Sequence, residues 1–270
     1  MAGEVFKFTG ARPAYYDRYL GPFLFEPYGK EMASRVPKEG TTAVLEIASG
    51  TGRVTRHLRQ QLPSSVKLTA TDLSPDMLVI AKTKFTSSDA VEFSVADMQN
   101  LPFPENNFDV AVCQFGMMFP PDKQKATNEA YRVLKPGGTF LFSTWEDTTR
   151  VDIFKLFYDE LLIPFFKGED TTRFKVPYSM HDPGLLTELM TRSNFRNVHV
   201  ERIVLPGVAD TAESLVKGLF TSHALGQEVK DRNPQAFESI AQNLETEIIA
   251  RFSNHPVKCE LAAYFVSGIK

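Results

Sequence analysis

Cysteine is scarce. Only Cys113 and Cys259 occur among 270 residues, in no CxxC pair and beside no histidine at metal-ligand spacing. That argues against a disulfide framework or a zinc site, and it fits a reducing compartment. Cys113, inside FDVAVCQF, reads as a buried free thiol. An excess of either charge is also missing. The formal net charge is −3 and the isoelectric point about 6.0. A chain that lives on phosphate backbones carries a basic excess, so nucleic acid is not an expected partner. No apolar run approaches the ~18 residues of a membrane span. The opening segment, with Glu4, Lys7, Arg12, Asp17 and Arg18, does not read as a signal peptide. Internal repeats and low-complexity tracts are absent, and the cytoplasm is the expected location.

What is present is ordinary globular composition, 43% hydrophobic and 23% charged. The 22 Phe and 8 Met can fill a large core or line a pocket for an apolar or aromatic ligand. From 42 to 146 strand and helix patterns alternate. AVLEIA (43–48), VKLTAT (66–71), VEFSVA (91–96), FDVAVC (108–113) and GTFLFSTW (138–145) read as strands. Between them, 53–62 places Val54, Leu58 and Leu62 on one helical face. Ser74 reads as an N-cap with Pro75 at the first helical position, and 122–134 is a further helix. Such alternation implies a parallel sheet with helices on both faces. The tail predicts an aromatic-rich helix over 151–166, a helix over 183–193, a strand at 195–205, helices near 211–225 and 234–252, and a last strand at 260–269.

One stretch carries the chemistry, VLEIASGTGRVTRHL from Val44 to Leu58. Glycines in a strand-to-helix turn let a ligand approach the backbone, and the following helix offers unpaired N–H groups. The dinucleotide fingerprint needs a third small residue, and here Thr55 breaks it after Gly50 and Gly52. Glu46, just upstream, would sit badly against a pyrophosphate and well against an ammonium. Asp72, at the end of the second strand, can accept from both ribose hydroxyls. Asp97, at the end of the third, can accept from an exocyclic amine such as that of adenine. Three successive strand ends therefore offer partners for an amine, a ribose and an adenine, and none for a phosphate.

With these residues in place, the chain resembles the class I S-adenosylmethionine-dependent methyltransferases, in the group that includes the ubiquinone/menaquinone-biosynthesis C-methyltransferases. The blocks are VLEIASGTGRVT, TATDLSPDML, VADMQNLPFPENNFDVAVCQFGMMF and EAYRVLKPGGTFLFSTW, in order over 42–146. Ala48 departs from the pattern, standing where the family's loop usually has its first glycine. The resemblance implies a Rossmann-like α/β fold, a seven-stranded sheet that is mostly parallel with an antiparallel last strand, helices on both faces and a helical lid insert. It implies S-adenosylmethionine as cofactor and S-adenosylhomocysteine as product. Glu46 and the backbone of Ala48, Ser49, Gly50 and Gly52 would face the methionine part. Asp72 would hold the ribose, with Leu73 and Met77 on the adenine. Asp97 and Met98 would read the adenine edge, and Gln114 and Phe115 would lie beside the transferred methyl. The KPGG segment (135–138) would be a structural turn before the fifth strand.

The expected organisation is one domain, with an N-terminal helical lid segment (1–40), a cofactor-binding core (41–150), connecting helices (151–194) and two final strands carrying a helical insert (195–270). Tyr15, Tyr16, Met118 and Trp145 are the candidates for lining an acceptor pocket. His57 and His199 read as structural or exposed, while His181 and His223 fall near the insert. No catalytic residue and no metal site is assigned, and O-, C- and N-methylation of a small, apolar or aromatic acceptor all stay open. A non-catalytic S-adenosylmethionine binder and a nucleotide-dependent oxidoreductase are the competing readings.

Overall fold

The computed structural model describes residues 9–221 and 224–270. Helix α1 (Arg12–Tyr15) runs through a π-helical stretch, Tyr16–Phe25, into α2 (Glu26–Ser34). There follow β1 (Ala43–Ile47), α3 (Arg53–Gln61), β2 (Lys67–Asp72), α4 (Pro75–Lys82), β3 (Val91–Val95), β4 (Phe108–Gln114), α5 (Lys123–Val133) and β5 (Leu134–Trp145). The rest of the chain forms α6 (Asp152–Phe154), α7 (Pro183–Arg192), β6 (Arg196–Ala209), α8 (Ala212–Thr221), α9 (Ala224–Arg232), α10 (Pro234–Phe252) and β7 (Val257–Ile269).

The seven strands form one sheet in the order β3-β2-β1-β4-β5-β7-β6. β1 pairs in parallel with β2 and β4, β2 with β3, and β4 with β5. β7 runs antiparallel to β5, from Thr139 opposite Ile269 to Trp145 opposite Ala263. This is the fold the resemblance implies. The chain leaves β1 towards β2 on one side, and β4 pairs on the other. In open parallel sheets such a switch point is where ligands bind, at the carboxyl ends of the strands.

Local chemistry sets these elements. β4 is buried along nearly its whole length, as an apolar strand covered on both faces must be. Ser74 caps α4, its hydroxyl accepting from the Met77 N–H at 3.3 Å with Pro75 in the first turn. Asp122 caps α5 by accepting from the Lys125 N–H at 2.8 Å.

The chain divides into two compact units. One comprises Tyr28–Trp145, Met180–Ile203 and Ala263–Lys270, with Val44, Leu45, Leu68, Val110, Val112 and Phe140 in its core. The other comprises the described residues up to Pro27, Glu146–Ser179 and Val204–Ala262, with Phe157, Phe166, Phe174, Phe220, Leu244 and Ile248 buried.

The tail differs in detail from its sequence pattern. The segment expected as one helix over 151–166 is helical but irregular. α6 passes into a π-helical stretch, Lys155–Leu162, and then a 3₁₀ turn, Ile163–Phe166, around Pro164. Three helices stand where two were expected, because α9 forms over residues of weak apolar period. Its middle and its end are tied by tertiary contacts: Glu228 binds Arg173 at 2.8 Å, and Arg232 reaches Glu169 and lies over the Phe166 ring. KPGG is not a turn before β5 but part of it. The strand begins at Leu134, and its register to β4 shifts between Phe108 and Val110 to absorb the glycines.

Candidate functional site

Strands β1 to β5 run parallel, so the residues at their carboxyl ends share one end of the sheet. Glu46, the Ala48–Gly52 turn, Asp72, Asp97, Gln114 and Trp145 all fall there, within the first unit. The turn is built from left-handed residues: Ala48 has φ 54°, Gly50 55° and Gly52 79°. At Gly52 the glycine is required twice over. A Cβ there would adopt a disfavoured backbone and would sit 3.1 Å from the Ala81 Cβ. The Ser49 N–H donates to the Thr71 carbonyl at 2.8 Å, and the Gly52 N–H to the Ser49 carbonyl at 2.9 Å. Lys84, two residues past α4, clamps the turn by donating to the Thr51 carbonyl at 2.8 Å.

Asp72 is part of this construction. Its Oδ2 accepts from the Gly50 N–H and its Oδ1 from the Ser74 N–H, each at 2.8 Å. Burial pushes its carboxyl above the ordinary carboxylate value, and these N–H bonds oppose the rise. Leu73, next along, is 69% exposed, an apolar side chain left open, while Met77 on α4 is buried. Asp97 is exposed just past β3 and accepts from the Gln99 N–H at 2.8 Å. Gln99 in turn accepts from the Asp122 N–H at 3.1 Å, which ties this loop to α5. Met98 beside it is half-buried.

Glu46 is the most unusual group. Its side chain is 2% exposed, and its Oε2 has no hydrogen-bond partner. Burial pushes its carboxyl up to about 8; Thr55, on the first turn of α3, opposes this, and the charge of Asp72 adds to it. The hydroxyl of Ser49 is likewise buried with no partner. Buried polar atoms are rarely left unpaired, so these two point to a bound polar group.

The wall on the β4 side is aromatic. Phe115 adopts φ 52°, and its ring stacks on Trp145 with centroids 3.7 Å apart and planes 4° apart. Tyr28 from α2 meets both rings edge-on, at 5.4 and 5.2 Å. Met117 and Met118, in the loop after β4, are buried. Gly116 allows the β4 and β1 loops to meet, since a Cβ there would lie 2.6 Å from both the Ala48 Cβ and the Cys113 Sγ.

Thus Glu46, Ala48, Ser49, Gly50, Gly52, Asp72, Leu73, Met77, Asp97, Met98, Gln114, Phe115, Met118 and Trp145 all belong to one unit and gather at one end of its sheet. Tyr15 and Tyr16 lie in the other unit, where Tyr15 stacks on Tyr19 and Tyr16 on Phe25. His57 is half-buried on α3 and His199 exposed on β6; His223 falls outside the described residues. Among the described residues no cluster could hold a metal, and both cysteines are free and buried. Sequence reasoning missed Tyr28, Gly116, Lys84 and the influence of Thr55 on Glu46. Only Thr55 carried a signal, as the residue standing where a dinucleotide turn would need a third small one.

Residues 44–138 match the model of a family described as a methyltransferase domain. The ubiquinone/menaquinone biosynthesis C-methyltransferase UbiE of Rickettsia bellii is 38% identical over 130 residues, which are 45% of this chain and 52% of that protein. The demethylmenaquinone methyltransferase of Staphylococcus epidermidis is 31% identical over 157 residues, 56% of this chain and 65% of that protein. Among solved structures, phosphoethanolamine N-methyltransferase 2 of Haemonchus contortus, in complex with phosphomonomethylethanolamine and S-adenosylhomocysteine, is similar with a TM-score of 0.59. The match has 17% identity and covers 96% of this chain and 56% of that one, which is a likeness of fold. The chain spans about half the length of the first curated relatives it matches.

Proposed function

We propose that the protein is a class I S-adenosylmethionine-dependent methyltransferase, a reading supported by the match of residues 44–138 to a methyltransferase domain, and that it transfers a methyl group from S-adenosylmethionine to a small, apolar or aromatic acceptor. The observation that carries this reading is the set of three carboxylates, Glu46, Asp72 and Asp97, at three successive parallel strand ends around a glycine turn. The residues fit the cofactor. The orphaned Oε2 of Glu46 suits an ammonium, Asp72 keeps lone pairs for ribose hydroxyls, and the open face of Leu73 suits an adenine.

When bound, S-adenosylmethionine supplies a methyl group already activated on a sulfonium leaving group. The protein's task is then to orient the acceptor and exclude water. Glu46 and the Ala48–Gly52 backbone hold the amino-acid end, Asp72 the ribose, Leu73 and Met77 the adenine faces, and Asp97 with Met98 its edge. Gln114 and Phe115 lie beside the reacting centre. Met118 and Trp145 are the candidates for an apolar wall facing the acceptor. A general base is needed only by an acceptor that is protonated at working pH, and no residue is assigned that role. The relatives named for quinone biosynthesis support an aromatic acceptor. The acidic charge balance disfavours nucleic acid. No described helix is long and apolar enough to cross a membrane, and two free thiols support a place in the cytoplasm.

The test is calorimetric titration with S-adenosylhomocysteine beside Asp72→Ala, followed by a labelled-methyl assay over phenols, quinones and amines. Micromolar binding lost in the variant, with turnover of one acceptor class, is the expected result. Intact protein with no heat and no thermal shift would remove the cofactor from this reading. Binding without turnover would leave a non-catalytic binder.

A further inference from the structure

We propose that Glu46 stands uncharged in the empty site and gives up its proton when the ammonium of an amino-acid-bearing ligand arrives, so that binding releases about one proton to solvent at neutral pH. This rests on reading the site as one for S-adenosylmethionine or its product. The carboxyl is sealed at 2% exposure, one of its oxygens lacks a partner, and among the described residues it has no ion pair. Among the described residues, the side chains that shift its carboxyl, Thr55 and Asp72, include no cation. α3 presents Thr55, which is neutral, and β2 presents the second carboxylate, Asp72, with oxygens already engaged by Gly50 and Ser74. β4 presents the Cys113 thiol, which burial pushes up to about 12 and so keeps neutral. Thr71 donates to the Glu46 backbone carbonyl at 3.0 Å and leaves the carboxyl alone.

A lone carboxylate buried beside a second one is costly, and holding a proton is the cheaper state. The rise of the Glu46 carboxyl to about 8 agrees with that geometry. An ammonium reverses the balance, because a buried ion pair needs the carboxylate form. The balance is simple: the carboxylic acid and the ligand's ammonium become a carboxylate–ammonium pair, and the proton leaves to buffer. No covalent bond is made in the ligand and none is broken there. Affinity should therefore rise about tenfold per pH unit between pH 6 and 7 and level off above pH 8.

S-adenosylhomocysteine is titrated calorimetrically into the full chain at pH 7 in phosphate and in Tris, whose ionisation heats differ. The difference in observed heat reports the protons released. A release close to one at pH 7, falling towards zero at pH 9, is expected. Glu46→Gln should bind more weakly with no release, its folding checked by thermal melting. Asp72→Asn should still release a proton at reduced affinity. Binding with no release at pH 7 overturns the proposal and leaves the cofactor site standing. Release that survives Glu46→Gln and vanishes in Asp72→Asn overturns it too, by assigning the proton to Asp72. No heat in the unaltered protein at any pH would remove the cofactor site and this proposal together. If Glu46→Gln fails to fold, the buffer and pH series on the unaltered protein decides.

Discussion

Two residues carry the cost of the site's backbone. Ala48 and Phe115 both hold φ near 50°, where a non-glycine residue costs about 1–2 kcal/mol. Phe115 is locked by its stack on Trp145, and Ala48 by its contact with the β4 loop at Gly116. This gives the alanine that departs from the family's pattern a structural consequence. With a methyl group at 48, position 116 has no room for another. Gly116→Ala should therefore destabilise by about 1–3 kcal/mol, since its Cβ would meet both the Ala48 Cβ and the Cys113 Sγ. In an Ala48→Gly background part of that penalty should disappear, a coupling of about 0.5 kcal/mol or more in a double-mutant cycle. Urea denaturation of the four proteins measures it. Strictly additive effects would mean that the two loops move apart and do not press together.

At the scale of elements, the sheet is anchored at the end away from the site. Asp109 on β4 accepts from the Thr42 and Ala43 N–H groups ahead of and within β1, and from Lys135 in β5 at 2.7 Å. One carboxylate thus ties three strands. Partial burial would raise its carboxyl, but the bonds from Lys135, Thr42 and Ala43 outweigh this and hold it down at about 2, against an ordinary 3.8. A lowered carboxyl contributes stability above the unfolded value and loses it as pH falls through the folded one. Asp109→Asn should cost about 2 kcal/mol at neutral pH and should flatten the loss of stability between pH 4 and 2. Affinity for S-adenosylhomocysteine should not change. A variant as stable as the parent at pH 7 would show that the three strands need no such tie. The strand alternation and the placing of three carboxylates at strand ends were legible because period and strand-end position are local properties. Helix α9 and the aromatic packing of Tyr28 were not, because each depends on partners distant in sequence, Arg173 and Phe166 for the one, Phe115 and Trp145 for the other.

For the whole molecule the two carboxylates oppose each other across the pH scale. Asp109 adds stability as pH rises from 2 to 4. Glu46 acts in reverse, since its folded value of about 8 lies above the 4.5 of a free glutamate. Between those two values the native state holds a proton that the unfolded chain has lost. Stability therefore falls as pH climbs through the window, by on the order of a few kcal/mol. Asp72, raised in the same direction by burial, deepens the same slope. The empty protein should be most stable near pH 5 and weaker at pH 8, although its isoelectric point near 6.0 and its small net charge give no reason for such a slope. Denaturant midpoints taken at each pH unit from 3 to 9 check this. Glu46→Gln should remove most of the decline above pH 5 and leave the acid limb intact. Saturating S-adenosylhomocysteine should also restore stability at pH 8, because ligand that binds only the native form, and prefers the carboxylate, adds most where the proton is already gone. A flat profile from pH 5 to 8 in the empty protein would mean that Glu46 is ionised before any ligand reaches it.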